Sequence, residues 1–311
     1  MSNIATRESY GNAVTELGKE NSNIVVLDAD LAGATKSGVF KKAFPERHFN
    51  AGIAEMDMVC LAAGLSLAGK IPFVSTFAVF GTGRAYDAVR NAVCYPKLNV
   101  KLALTHAGLT VGEDGATHQM LEDIALMNAL PNMTVIVPAD DTEAKQVVKA
   151  AAEIDGPVFM RFARAATPVV FGDDYKFEVG KAATIKEGDD VTLIACGIMV
   201  QKAIEAAEEL KKDGINARVI NMATIKPLDK AAVVKAAKET GAIVTCEEHS
   251  VYGGLGSVVS QALSEECPVP MEYVAVQDTF GESGTPDALL AKYHIDTPDI
   301  IEAAKKAVGR K

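Results

Sequence analysis

Hydrophobic and polar positions fall into two rhythms along the chain. The runs 23–31, 71–77, 99–108, 133–139 and 157–163 are short, β-branched and apolar almost throughout, the pattern of strands buried on both faces. Between them, 55–69, 119–130 and 141–154 place apolar residues at helical spacing. The rhythm breaks between about 165 and 188, where Pro, Gly and acidic residues mix in extended style. It resumes with a strand at 191–197, a helix at 199–214, a strand at 215–222, a helix at 229–241 and a strand at 242–249. A helix opened by YGGLGS (252–257), an extended run MEYVAVQDTF and two further helical segments follow. Strands alternating with amphipathic helices predict an α/β protein with mainly parallel sheets covered by helices. We read two domains, 1–170 and 188–311, joined by a linker over 171–187.

Open parallel sheets bind ligands beyond the carboxyl ends of their strands. That rule draws attention to Asp28 and Asp30 after the first strand, His106 after the third, and Arg161 with Arg164 after the fifth. His106 opens a loop of unusual composition, THAGLTVGEDGATHQ (105–119), which also holds Asp114 and His118. Gly108, Gly112 and Gly115 allow its backbone to turn tightly. Three readings are open for it. Thr117 or Asp114 caps the next helix; or His and Asp ligate a metal, although the spacing fits neither zinc nor an EF-hand; or the loop binds a substrate.

Other candidates are equally two-sided. Glu55 stands where a helical pattern begins, either as a first-turn glutamate favoured by the helix dipole or as a buried carboxyl sharing a proton among Ile53, Ala54, Met56 and Met58. Phe77 and Phe80 suit a core, or the walls of a slot for a flat heteroaromatic ring. Arg7, Ser37, His106 and Arg164 lie far apart in sequence; brought to the strand tips they would make a phosphate clamp.

Composition narrows the classes. A net charge of −10 argues against nucleic acid or an anionic membrane as the main partner. Five scattered cysteines with no C-x-x-C predict reduced thiols, a cytoplasmic location and no disulfide framework or zinc site. No apolar run approaches a membrane span. The P-loop, the dinucleotide-binding glycine fingerprint and the G-x-S-x-G elbow do not occur.

Taken in order, ATRESYGNAV, LDADLAGATKS, FNAGIAEMDM, PFVSTFAVF, THAGLTVGEDGATHQ, PNMTVIVPADDTEA, RFAR and GESGTPDALL resemble the C-terminal half of a transketolase, a thiamine diphosphate enzyme. The resemblance implies a pyrimidine-binding domain followed by a transketolase C-terminal-type domain. By the same resemblance Glu55 meets N1′ of the cofactor's aminopyrimidine, Phe77 and Phe80 pack on that ring, and Asp30 lies near the cofactor. Arg7, Ser37, His106 and Arg164 would hold a sugar phosphate, Asp114 would read a substrate hydroxyl, and His118 would stand beside the reacting carbonyl. His118 and His106 would transfer protons or steady a developing alkoxide. A third ring-packing aromatic of the family has no counterpart in GTGRAYD (81–87). The family's G-D-G motif for the diphosphate and Mg²⁺ (or Ca²⁺) is absent from the sequence, so the resemblance implies a split enzyme. In it a separate N-terminal subunit carries that motif, holds the metal, and pairs with this chain as α2β2. The competing readings are the beta subunit of a 2-oxo acid dehydrogenase first component, a deoxyxylulose phosphate synthase-like enzyme, and a non-catalytic binding or regulatory partner.

Overall fold

The computed structural model describes residues 3–311. Two sheets dominate it. The first has seven strands in the order Thr224–Lys226, Thr134–Ile136, Val158–Phe162, Lys101–Thr105, Ile71–Ser75, Ile24–Asp28 and His48–Asn50. All pairings are parallel except that of Thr224–Lys226. Every residue of the strands at 24–28, 101–105 and 158–162 is buried, as near-continuous apolar runs require when helices cover both faces. On one face lie the helices Thr6–Glu20 and Asp141–Glu153, packed through Tyr10, Val14, Val147 and Val148. The helix Glu55–Leu67 covers the other face, with Met58, Val59 and Ala62 inward.

The second sheet runs Met271–Val276, Ile243–Ser250, Val191–Ala195, Ala217–Asn221 and Ala183–Lys186, parallel except for the last. Ala183–Lys186 falls inside the stretch read as a linker. The rest of that stretch is anchored: Asp140 accepts the backbone N–H groups of Val170 and Phe171, and Gln146 brackets Tyr175 and Phe177. Several elements escaped the sequence reading, the Thr6–Glu20 helix and two short strands among them. His48–Asn50 is too short to show periodicity, and Thr224–Lys226 leaves the second domain to pair with the first sheet. Among the described residues no helix is long and apolar enough to cross a membrane.

Parallel register aligns the strand ends. Asp28 stands opposite Ser75, and Thr105 opposite Phe162, so one edge of the first sheet collects the segments that follow them. Ala163 donates its N–H to Thr6 Oγ1 (2.8 Å), which brings the start of the Thr6–Glu20 helix to the same edge.

Candidate functional site

His106 is the first residue beyond the Lys101–Thr105 strand and has φ +58°, a left-handed conformation that His tolerates better than most side chains. The turn lays its ring on Phe77, with centroids 3.9 Å apart and planes 22° from parallel. Its Nε2 lies 3.2 Å from Arg7 Nη1 and its Nδ1 lies 2.8 Å from Thr105 Oγ1. A guanidinium only donates, so Nε2 accepts and the ring's proton sits on Nδ1, directed at Thr105. Burial, reinforced by Arg7, Arg164 and His118, pushes the His106 pKa down to about 3. The imidazole is therefore neutral throughout the physiological range.

Arg7 also donates to the carbonyl of Ala34 (3.0 Å), while its buried Nε has no partner. Gly11 makes that contact possible: a Cβ there would stand 2.5 Å from the Lys36 carbonyl oxygen, so only glycine lets the 32–37 segment lie against the helix. Ser37 is buried in that segment and accepts from Thr35 Oγ1 (3.1 Å). Arg164 bonds the carbonyl of Val111 and the carboxylate of Glu113, the latter at 3.2 Å. Each of Arg7, Arg164 and His118 perturbs His106 electrostatically, which places all four in one neighbourhood. A protein of net charge −10 thus holds two guanidiniums around one neutral imidazole.

The second part of the site starts from a wide π-type turn over Val79–Arg84. Such turns are frequent at functional sites because the extra residue re-aims the side chains around it. Here it sets Phe80 parallel to Phe77 (5.9 Å, 12°) and folds Arg84 back over Phe80, its guanidinium carbon 4.5 Å from the ring centre. Arg84 Nη1 also donates to Glu55 Oε2 at 2.9 Å. Glu55 is buried at the first position of its helix; of the apolar residues expected around it Met58 is buried, whereas Ile53 is 79% and Met56 47% exposed. A cation, not a hydrocarbon wall, faces the carboxylate. His118 joins the two parts, standing edge-on to Phe80 at 5.5 Å and to Phe77 at 6.2 Å.

Two predicted residues stay outside this network. Asp30, at φ +62°, is exposed and exchanges hydrogen bonds with Asn50. Asp114 is exposed at the end of the Leu109–Asp114 turn. The expectation for Arg161 is corrected: it lies within its strand, is buried, and bonds Asp123 (2.7 Å) and the carbonyl of Glu248 (2.8 Å). Arg84 was missed, although its position in GTGRAYD, where the stacking aromatic was wanting, was the available signal. A hollow of about 550 Å³ elsewhere, lined by Lys230, Lys235 and Lys238, holds none of these residues and presents only a solvated helix face.

What the second part can hold follows from what fills it. A planar group with N–H donors lies on an aromatic ring and bonds a buried carboxylate. An aminopyrimidine is also planar and, protonated at N1′, presents an N–H that a buried carboxylate can accept, so the residues present fit that half of thiamine diphosphate.

Comparison with known proteins converges on one family. The profile "Transketolase, pyrimidine binding domain" matches residues 2–169, and "Transketolase, C-terminal domain" matches residues 180–300. The chain is 48% identical to a putative transketolase C-terminal section of Methanocaldococcus jannaschii, covering 95% of this chain and 94% of that one. It is 41% identical to a subunit of a 6-deoxy-6-sulfo-D-fructose transketolase from a Clostridium species, over 98% and 95% of the two chains. Among solved structures it is similar to a split gene transketolase in an inactive beta4 tetramer, with 57% identity, a TM-score of 0.93 and 99% of each chain covered.

Proposed function

Because the chain belongs to the transketolase family, as a split-transketolase-type subunit with thiamine diphosphate-type domains, we propose that it forms half of an active site that moves a two-carbon ketol unit from a ketose phosphate to an aldose phosphate. The observation that carries this reading is the adjacency of the Glu55–Phe80–Arg84 slot to the Arg7–His106–Arg164 cluster, bridged by His118. When bound, thiamine diphosphate supplies a carbon nucleophile and an electron sink. Everything else falls to side chains.

Glu55 would meet N1′ of the aminopyrimidine, and Phe80, from the Val79–Arg84 turn, with Phe77 just before it, would orient the ring. Arg84, which bonds Glu55 and lies over Phe80, would give up that place to the ring. Arg7 and Arg164 bind the phosphate of the sugar, with Ser37 beside them. His106 is neutral and already engaged through both nitrogens, so it serves as an orienting group and not as a cationic acid. His118, half-buried and edge-on to both phenylalanines, faces the reacting carbonyl and handles the proton there. Asp30 and Asp114 come into play only when ligand reaches the rim.

The rest of the site belongs to a second chain in this proposal. The G-D-G motif that holds diphosphate and Mg²⁺ in the family does not occur in the sequence. The Glu55–Leu67 helix carries apolar residues on its outer as well as its inner face, with Met56, Leu61 and Leu67 exposed beside Asp57 and Ile53 just before them. Helices of that kind become covered on both faces. An N-terminal subunit seated there would bring the diphosphate site to Glu55, and two such half-sites would close as α2β2. Pentose phosphates in the cytoplasm are the default substrates, and relatives named as subunits of 6-deoxy-6-sulfo-D-fructose and apulose-4-phosphate transketolases make other sugars the alternatives. The Arg7–Arg164 clamp separates this reading from a 2-oxo acid dehydrogenase component, which has no sugar phosphate to hold.

The test is reconstitution. This chain, a G-D-G-bearing subunit, thiamine diphosphate and Mg²⁺ together should transfer two-carbon units between sugar phosphates, and this chain without the subunit should not. Full-rate transfer by the chain alone would refute the split site.

A further inference from the structure

The loop that carries His106 and His118 is shaped from outside its own domain. Thr110 donates its N–H to Glu248 Oε1 at 2.6 Å, and Glu248 belongs to the Ile243–Ser250 strand of the second sheet. The same carboxyl lies directly against the loop backbone, since a Cβ on Gly108 (φ +83°) would stand 2.2 Å from Glu248 Cδ. From inside the loop, Gln119 Nε2 reaches the carbonyls of Leu109 (3.2 Å), Gly112 (3.1 Å) and Glu282 (2.9 Å). The last is again in the second domain. Gly281 seats Gln119: a Cβ there would fall 2.0 Å from Gln119 Oε1. Gly115 rests on Ser283 in the same way, its absent Cβ 2.5 Å from Ser283 Oγ.

Glu248 is itself fixed from the first domain. Arg161 Nη2 donates to its carbonyl at 2.8 Å, Arg161 Nη1 stands 3.9 Å from Oε2, and Asp123 takes Arg161 Nε at 2.7 Å. Arg164 meets the same loop at Val111 and Glu113, but Glu248, Gln119, Arg161 and Asp123 bond neither the slot nor a guanidinium of the phosphate cluster. Burial pushes the Glu248 carboxyl up to about 7 against the pull of Arg161, so keeping an acid there costs stability that an apolar residue would not. A costly buried group that bonds one loop N–H is explained by what it does to the loop.

We propose that Glu248, supported by Gln119, is a positioning residue for the sugar-phosphate site: the second domain sets the backbone of residues 106–119, and through it the places of His106 and His118. The proposal rests on the reading of that site as a sugar-phosphate site, and assigns the second domain a part in substrate affinity without a group that touches substrate. Glu248 acts as a hydrogen-bond acceptor at Thr110, so an amide oxygen can replace it and a methyl group cannot.

Three variants of the full chain test this, Glu248→Ala, Glu248→Gln and Gly281→Ala. Hydrogen–deuterium exchange of the 105–119 segment is read first, with and without inorganic phosphate, and needs no transfer activity. In Glu248→Ala the Thr110 amide should exchange about tenfold faster, the scale of one lost hydrogen bond. Phosphate should protect the segment less, and Glu248→Gln should restore most of both effects. Gly281→Ala, which displaces Gln119 from the far side, should loosen the same segment. In the reconstituted enzyme KM for the ketose phosphate should rise about tenfold in Glu248→Ala and kcat should fall with it, since the loop carries both His106 of the phosphate cluster and His118 beside the reacting carbonyl, and Glu248→Gln should restore most of both. Unchanged exchange in Glu248→Ala, or equal damage from Ala and Gln, would overturn the proposal. If the enzyme transferred no two-carbon units at all, the function proposed above would fail while the exchange result still decided the positioning role.

Discussion

Around Glu55 the contacts come from one short turn, Val79–Arg84, and the next surface is apolar and exposed; around His106 they come from the Thr6–Glu20 helix, the strand end near Arg164 and two segments of the second domain. In the proposed function the Glu55 side is the one a partner covers; its carboxylate is paired here with one half-exposed arginine. The substrate side is clamped within the chain. The difference teaches where the chain is self-sufficient. The Arg7–His106–Arg164 cluster is formed by the chain's own packing, whereas in the proposed function a ring brought in with the partner would replace Arg84 at Glu55.

The largest effect should come from the exposed side. Glu55→Ala in the reconstituted enzyme should lower transfer by about 10²–10⁴-fold, the range of a lost acid–base group, with the melting temperature of the chain little changed. A loss of only a few-fold would favour a binding or regulatory role for the chain. On the clamped side, Arg164→Ala should raise KM for sugar phosphates about 10–100-fold with a smaller change in kcat, because a charge-assisted phosphate contact is lost. An equal fall in kcat would move Arg164 from phosphate binding to the reacting centre.

The clamp should also show in the pH dependence of stability. Glu143 is buried where the domains meet and accepts from Ala139 N (2.8 Å), Tyr175 Oη (2.6 Å) and Asn221 Nδ2 (2.7 Å). Burial pushes its carboxyl up to about 7. A folded-state value above the ordinary carboxyl value means that the fold binds the proton more tightly than the unfolded chain. That contribution is complete below the ordinary value and is lost as pH rises through about 7. Glu143→Gln should therefore gain thermal stability relative to the natural chain between pH 5.5 and 8, by about 1–2 kcal/mol. A difference that stays flat with pH would show that Glu143 is charged across the whole range. The smallest effect is expected at Arg84. Its Glu55 pair is half-exposed, and pairs of that kind contribute only about 0–1 kcal/mol. Arg84→Ala should thus tighten thiamine diphosphate binding by the reconstituted enzyme a few-fold at most, read by titration calorimetry; weaker binding would mean that Arg84 supports the ring and does not merely hold its place.

The sequence reading and the structure part company along the same line. The apolar runs located the buried strands at 24–28, 71–75, 101–105 and 158–162 to within a few residues, since burial on both faces leaves a continuous signature. Arg7, His106, His118 and Arg164 do converge. No spacing joined them; the resemblance to a family did. Arg84 stayed hidden because an extra residue in a π-type turn changes which side chains share a face, and helical periodicity cannot register that change. Glu248 stayed hidden because its role depends on how two domains dock. The strand pattern at 242–249 marks it only as one polar residue among several.

The central claim is that this chain is half of an active site, and the most direct measurement is to recover it, natively tagged, from its host and identify what accompanies it. The account predicts a stoichiometric partner of similar size carrying G-D-G and a downstream Asn, seated over the Glu55–Leu67 helix. Recovery of the chain only as a homo-oligomer, with no such partner at any stoichiometry, would contradict it.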